Sequence, residues 1–61
     1  MIIIEIPKET IQLKYKVVPK HVVIFKDTIV YVGTEPQCYC FVRYMEDASD
    51  EEILERAKLI K

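Results

Sequence analysis

The chain has 61 residues, 51% of them hydrophobic and 31% charged, with nine basic against ten acidic side chains. That length excludes more than one domain, and the apolar share excludes a disordered tail. A near-neutral charge disfavours non-specific nucleic-acid binding, which calls for a basic excess.

A domain this short buries only about 60% of the surface its unfolded chain exposes, so it is marginal without a disulfide, a metal or a partner. Abundant Ile, Val, Lys and Glu with a single Gly are the composition of a heat-adapted source. The charge is uneven. Residues 1–45 carry six basic and four acidic side chains, and residues 46–61 carry three and six. "MIIIEIP" is cut short by Glu5 and Pro7 and has no basic segment before it, so it does not read as a signal peptide. No run approaches the ~20 apolar residues of a membrane helix. The expectation is a soluble, cytoplasmic protein that makes no membrane contact.

Taken in chain order, Ile2, Ile4 and Ile6 alternate with Ile3 and Glu5, which predicts a strand over about 2–6 that Pro7 stops. "TIQLKYKV" alternates again. Ile11, Leu13, Tyr15 and Val17 share one side, which predicts a strand over 10–18 with one wet face. The intervening "PKE" reads as a hairpin turn, and Pro19 as a break. "HVVIF" and "TIVYV" flank "KD", and "QCYCFVRY" follows "GTEP". These runs predict a three-strand meander over 21–26, 28–33 and 37–44. Ser49 with Glu52 three residues later is a capping-box pattern. Asp50, Glu51 and Glu52 at the start, Lys58 and Lys61 at the end, and the stripe Ile53, Leu54, Ala57 and Ile60 predict a helix over about 50–60. The whole is expected to be a mainly β (α+β) domain. An N-terminal hairpin and the meander would form a five-strand, SH3-like, partly open barrel with a C-terminal helix.

The meander has two apolar faces. Pairing around "KD" puts Val22, Ile24, Ile29 and Tyr31 on one face and Val23, Phe25, Val30 and Val32 on the other. A three-residue loop at Thr34–Pro36 adds Tyr39, Phe41 and Arg43 to the first face and Cys38, Cys40 and Val42 to the second, and a four-residue loop would swap these two sets. If helix and hairpin serve one core, the second face stays open, and exposed apolar patches mark interfaces. The candidate binding residues are therefore Val23, Phe25, Val30, Val32, Cys38, Cys40 and Val42, and the expected partner is a second copy or a larger protein.

Chemistry finds little support. Cys38 and Cys40, two apart on one strand, would hold their α-carbons roughly 6.5–7 Å apart, at the limit for a disulfide. His21 is the only histidine, too few for a zinc site. No Gly-rich phosphate loop and no nucleophile–base arrangement is present. The expectation is a non-enzymatic module without cofactor or metal.

Three resemblances bear on function. "QCYCFVRY" resembles the octapeptide of RNA-recognition-motif domains at Tyr39, Phe41, Val42 and Tyr44, positions that imply base stacking by Tyr39 and Phe41. "IVYVG" looks like that family's second strand motif, but "TEP" leaves no room for the helix and strand that separate the two motifs there. "IPKE" followed by "VPKHVVIFKDTIVYV" resembles swapped-hairpin antitoxin and transition-regulator domains, with Lys20 and His21 in place of the usual Gly-Asp. The hairpin, meander and "EDASDEEIL" lead into a last helix resemble the seven-kilodalton archaeal chromatin proteins, SH3-like barrels that bind the DNA minor groove. That likeness implies a DNA-binding face holding Val23, Phe25, Thr28, Val30, Cys38, Cys40 and Val42, with Val23 and Phe25 as wedges between bases. The family's Gly-rich loop, many lysines and face Trp are missing here.

Overall fold

A computed structural model describes residues 1–59. Its strands are β1 (Ile2–Gln12), β2 (Val17–Phe25) and β3 (Thr28–Gly33), antiparallel and in the order β1-β2-β3. Helices α1 (Glu35–Tyr44) and α2 (Asp50–Arg56) follow, and a 3-10 turn covers Ala57–Leu59. The architecture is α+β: an open three-stranded sheet with two helices, where a five-strand layout was expected.

The first expected hairpin is displaced. β1 runs on through "PKE", because four of its residues, Ile6–Glu9, stand opposite the single Lys20 of β2. Pro7 has no amide to give to a ladder, and Lys8 takes a φ of 65°, so the segment forms a wide bulge on an edge strand instead of a turn. The turn comes later, where the Leu13 N–H donates to the Lys16 carbonyl at 2.7 Å. The predicted strand over 10–18 is thus divided between β1 and β2. Pro19 does not break the chain. It lies within β2 opposite Thr10, in a stretch that β3 no longer reaches, so only one ladder passes it. The result is a two-stranded arm, and the molecule measures 36 × 19 × 18 Å.

β2 and β3 close tightly around Lys26 and Asp27, with φ of 50° and 60°, the left-handed pair that a two-residue hairpin turn requires. Ile24 pairs with Ile29 but Val23 pairs with Tyr31, so Val30 is an extra residue. This bulge lets Val30 and Tyr31 both turn toward the helices.

The segment predicted as the fifth strand, 37–44, is helix α1. Thr34 is its N-cap: its hydroxyl accepts from the Gln37 N–H at 3.3 Å, and the Gln37 carboxamide accepts from the Thr34 N–H at 3.0 Å. Pro36 sits in the first turn, where its missing N–H costs nothing. Cys38, Phe41, Val42 and Met45 repeat at i, i+3, i+4 and i+7, a helical stripe that overlaps the two-residue alternation of the same stretch. The chain's one glycine precedes this cap. A Cβ on Gly33 would lie 2.6 Å from Gln37 Oε1 and 3.0 Å from the Tyr31 ring, so the capping box requires a residue without a side chain there.

α2 begins after Ser49, whose hydroxyl accepts from the Glu52 N–H at 3.2 Å. It ends at Arg56, short of the predicted span, because the chain tightens into the 3-10 turn at Ala57; Ile60 and Lys61 lie outside the described residues. Lys26 Nζ reaches Asp50 Oδ2 at 2.6 Å and ties the hairpin turn to the first turn of α2. Both groups are more than half exposed, which limits the pair to under about 1 kcal/mol.

The core is Val23, Val30, Cys38, Met45 and Ile53, with Ile3, Phe25, Tyr31, Phe41, Val42 and Leu54 packed around it. Tyr31 and Phe41 stack with ring centroids 4.7 Å apart. All of this lies on one side of the sheet.

Candidate functional site: the uncovered sheet face

Register fixes the other side. Ile2 pairs with Ile24, Ile4 with Val22, Ile24 with Ile29 and Val22 with Val32, and directly paired residues point the same way. Six aliphatic side chains therefore share the face turned away from the helices. Val22, at the centre, is buried between its neighbours, while Ile24 and Val32 are half-buried. Ile2, Ile4 and Ile29 are 63%, 40% and 46% exposed. The patch carries no charge. Lys20 and Glu9, paired at 3.2 Å, bound it at one end, and the Lys26–Asp27 turn bounds it at the other.

The sequence-predicted binding face does not survive as a unit. Val23, Val30 and Cys38 are fully buried in the core. Phe25 and Val42 pack around it, Cys40 lies exposed on α1, and only Val32 belongs to the open face. Two causes account for this. The Val30 bulge reverses the facing of everything after it on β3, and the conversion of 37–44 to helix removes the fifth strand. Val23 and Phe25 cannot act as wedges between bases, because their side of the sheet is the helix side.

A helix also separates the cysteines, since residues two apart lie on opposite sides of it. Burial pushes the Cys38 thiol above its ordinary 9.0, the nearby Glu35 charge adds to this, and a backbone hydrogen bond at Gly33 partly opposes it. A neutral thiol in the native state means that this contribution to stability is present below about pH 9 and is lost as pH rises through the elevated value. With a thiol-exchange reagent at neutral pH, one equivalent, Cys40, is expected to react in the native protein. The second should appear only in denaturant or as the pH rises past 9. Equal reactivity of both thiols in the native state would contradict the placement of Cys38.

His21 is buried beneath the arm. Its Nε2 stands 3.8 Å from both Glu5 and Glu35 carboxylates, and Nδ1 faces the Pro19 carbonyl at 3.3 Å. Contacts to β1, β2 and α1 make it a tie between the arm base and the helix. The adjoining cleft is lined by Glu5, Lys16, His21, Thr34 and Glu35 among others, with the Thr34 hydroxyl engaged as the cap of α1, and among the described residues no group of three or more His, Cys, Asp or Glu is placed to hold a metal. The arm itself bears Lys14 and Lys16 at its turn, with Tyr15 between them 88% exposed and Lys14 Nζ 5.4 Å from its ring.

No family model, curated protein or solved structure matches this chain. The geometry therefore stands alone as a guide to function. Among the described residues no helix is long and apolar enough to cross a membrane. The sequence signal of the open aliphatic face is the alternation of Ile2 and Ile4 with Ile3 and Glu5, which lines up with Val22 and Ile24 only in the register that pairs Ile4 with Val22.

Proposed function

We propose that this chain is a small, non-enzymatic protein-interaction module that pairs with a second copy of itself through the outer sheet face. The observation that carries the reading is the contiguous set Ile2, Ile4, Val22, Ile24, Ile29 and Val32, without a charge among them. An interface between like chains is self-complementary under a twofold, so a charged patch would repel its own image and an aliphatic one does not. Two such faces pack about 10 Å apart with their strands crossing at roughly 30°.

Size limits the strength. The face presents six aliphatic side chains, far fewer than the about 20–30 residues a side of a standard interface. Assembly should therefore be weak and concentration-dependent. Solution mass measured from low to high protein concentration tests this. A rise toward twice the monomer mass supports it, and a constant monomer mass ends it.

A second reading rests on the arm. A two-stranded ribbon fits the major groove of a duplex, and this one brings Lys14, Tyr15 and Lys16 to its turn. It would make the chain a nucleic-acid binder through the arm, since the uncharged sheet face has nothing for phosphates. Retardation of a short duplex at low salt, lost by Lys14→Glu/Lys16→Glu and falling with a shallow salt slope of about two phosphates, is the expected outcome. No retardation at low salt removes this reading.

A further inference from the structure

We infer that the edge of β3 is a docking site for an extended, acidic peptide segment, adjoining the outer sheet face at Val32. β3 is the last strand of the sheet, and no described strand or helix makes a backbone hydrogen bond to its outer side. Its sequence, "TIVYVG", has none of the charges or prolines that normally protect an edge. The Val30 bulge breaks the regular ladder, which confines strand addition to Tyr31–Gly33.

Along that edge runs a cleft of ≈ 440 Å³. Its floor is the stacked pair Tyr31 and Phe41 over the buried Val30, with Val32 of β3 on one side and Tyr44, Arg56 and Leu59 around the rest. A shallower continuation passes Gln37 and Cys40, so the lining of α1 follows the i, i+3, i+4, i+7 stripe Gln37, Cys40, Phe41 and Tyr44. Seven residues of helix advance about 10 Å, the length of about three residues of extended chain. Helix stripe and regular edge therefore match in length. This is the arrangement of strand addition, in which main-chain hydrogen bonds give affinity and pockets for alternate side chains give selectivity.

The chemistry of the occupant follows from the lining. Tyr44 and Leu59, 76% and 74% exposed, offer an apolar wall to aliphatic side chains. Arg56 makes no ion pair among the described residues, so its guanidinium is free to take a carboxylate. The segment that fits is an extended peptide with aliphatic residues at alternate positions and an Asp or Glu side chain opposite Arg56. The β3 strand of a second copy, "TIVYVG", offers no carboxylate and fits less well.

The test is selection of a displayed library of random heptapeptides on the whole chain. Enriched sequences are expected to combine alternating Val, Ile or Leu with Asp or Glu. Their affinity should fall at least about tenfold for Arg56→Glu and for Tyr44→Ala, both exposed sites whose variants keep the native amide spectrum. Methylation of alternate peptide nitrogens should abolish binding, and Ile29→Glu on the outer face should leave it intact. No enrichment over Arg56→Glu as bait would overturn the inference. So would enriched peptides that bind the Arg56 and Tyr44 variants as well as the native chain.

Discussion

Met45→Ala is expected to unfold most of the protein at 25 °C. Met45 is 2% exposed and caps α1, where it packs with Val23, Val30, Cys38 and Ile53 between helices and sheet. Truncating a buried Met to Ala costs about 2–5 kcal/mol. At 0.05–0.15 kcal/mol per residue, a chain of this length has roughly 3–9 kcal/mol in total, and small domains fall at the low end. Loss of helical and sheet ellipticity, with a urea midpoint near zero, would be the result. Met45→Leu keeps the volume and should cost under about 1.5 kcal/mol, which separates the loss of packing from any effect of sulfur. A fully folded Met45→Ala protein would mean that α1 does not close the core.

That residue also marks where the sequence was hard to read. In a strand over 37–44 Met45 is a loop residue, whereas in the helix it is the fourth member of the stripe begun at Cys38. Both periods fit "QCYCFVRY", since residues 38 to 42 are all apolar or aromatic. The deciding signal lay upstream, in Thr34, Pro36 and Gln37. A hydroxyl three residues before Gln, with Pro between, is helix-start chemistry, although "GTEP" alone also has the composition of a loop. The same pattern at Ser49 and Glu52 is unambiguous because a charged, amphipathic run follows it. The Lys26–Asp27 turn was legible from the two flanking apolar runs. The Val30 bulge was not, because no Gly or Pro marks it; burial of two consecutive side chains is a demand of the tertiary core, not of the strand. The face that the two-residue alternation singles out is therefore the helix side of the sheet, and the aliphatic side chains that the described elements leave uncovered lie on the other.

Ile29→Glu should abolish self-association while leaving the fold intact. Ile29 is 46% exposed, stands opposite Ile24, and has no part in the core. In the monomer a glutamate there reaches solvent. In a twofold dimer it is carried under the partner's sheet, and symmetry brings a second one. Each buried, unsatisfied polar group costs at least about 1–3 kcal/mol, and the twofold doubles this, so association should weaken at least about 30-fold. Ile29→Val retains the aliphatic surface and should associate nearly as the native chain does. Thermal stability supplies a second readout. The native melting temperature should rise with protein concentration, because the dimer binds only folded chains, whereas that of Ile29→Glu should not change. If the native chain associates and Ile29→Glu does so equally well, the association runs through another surface, and the outer face loses its role as the dimer contact. If the variant loses its native amide spectrum, the register that places Ile29 on the open face is wrong.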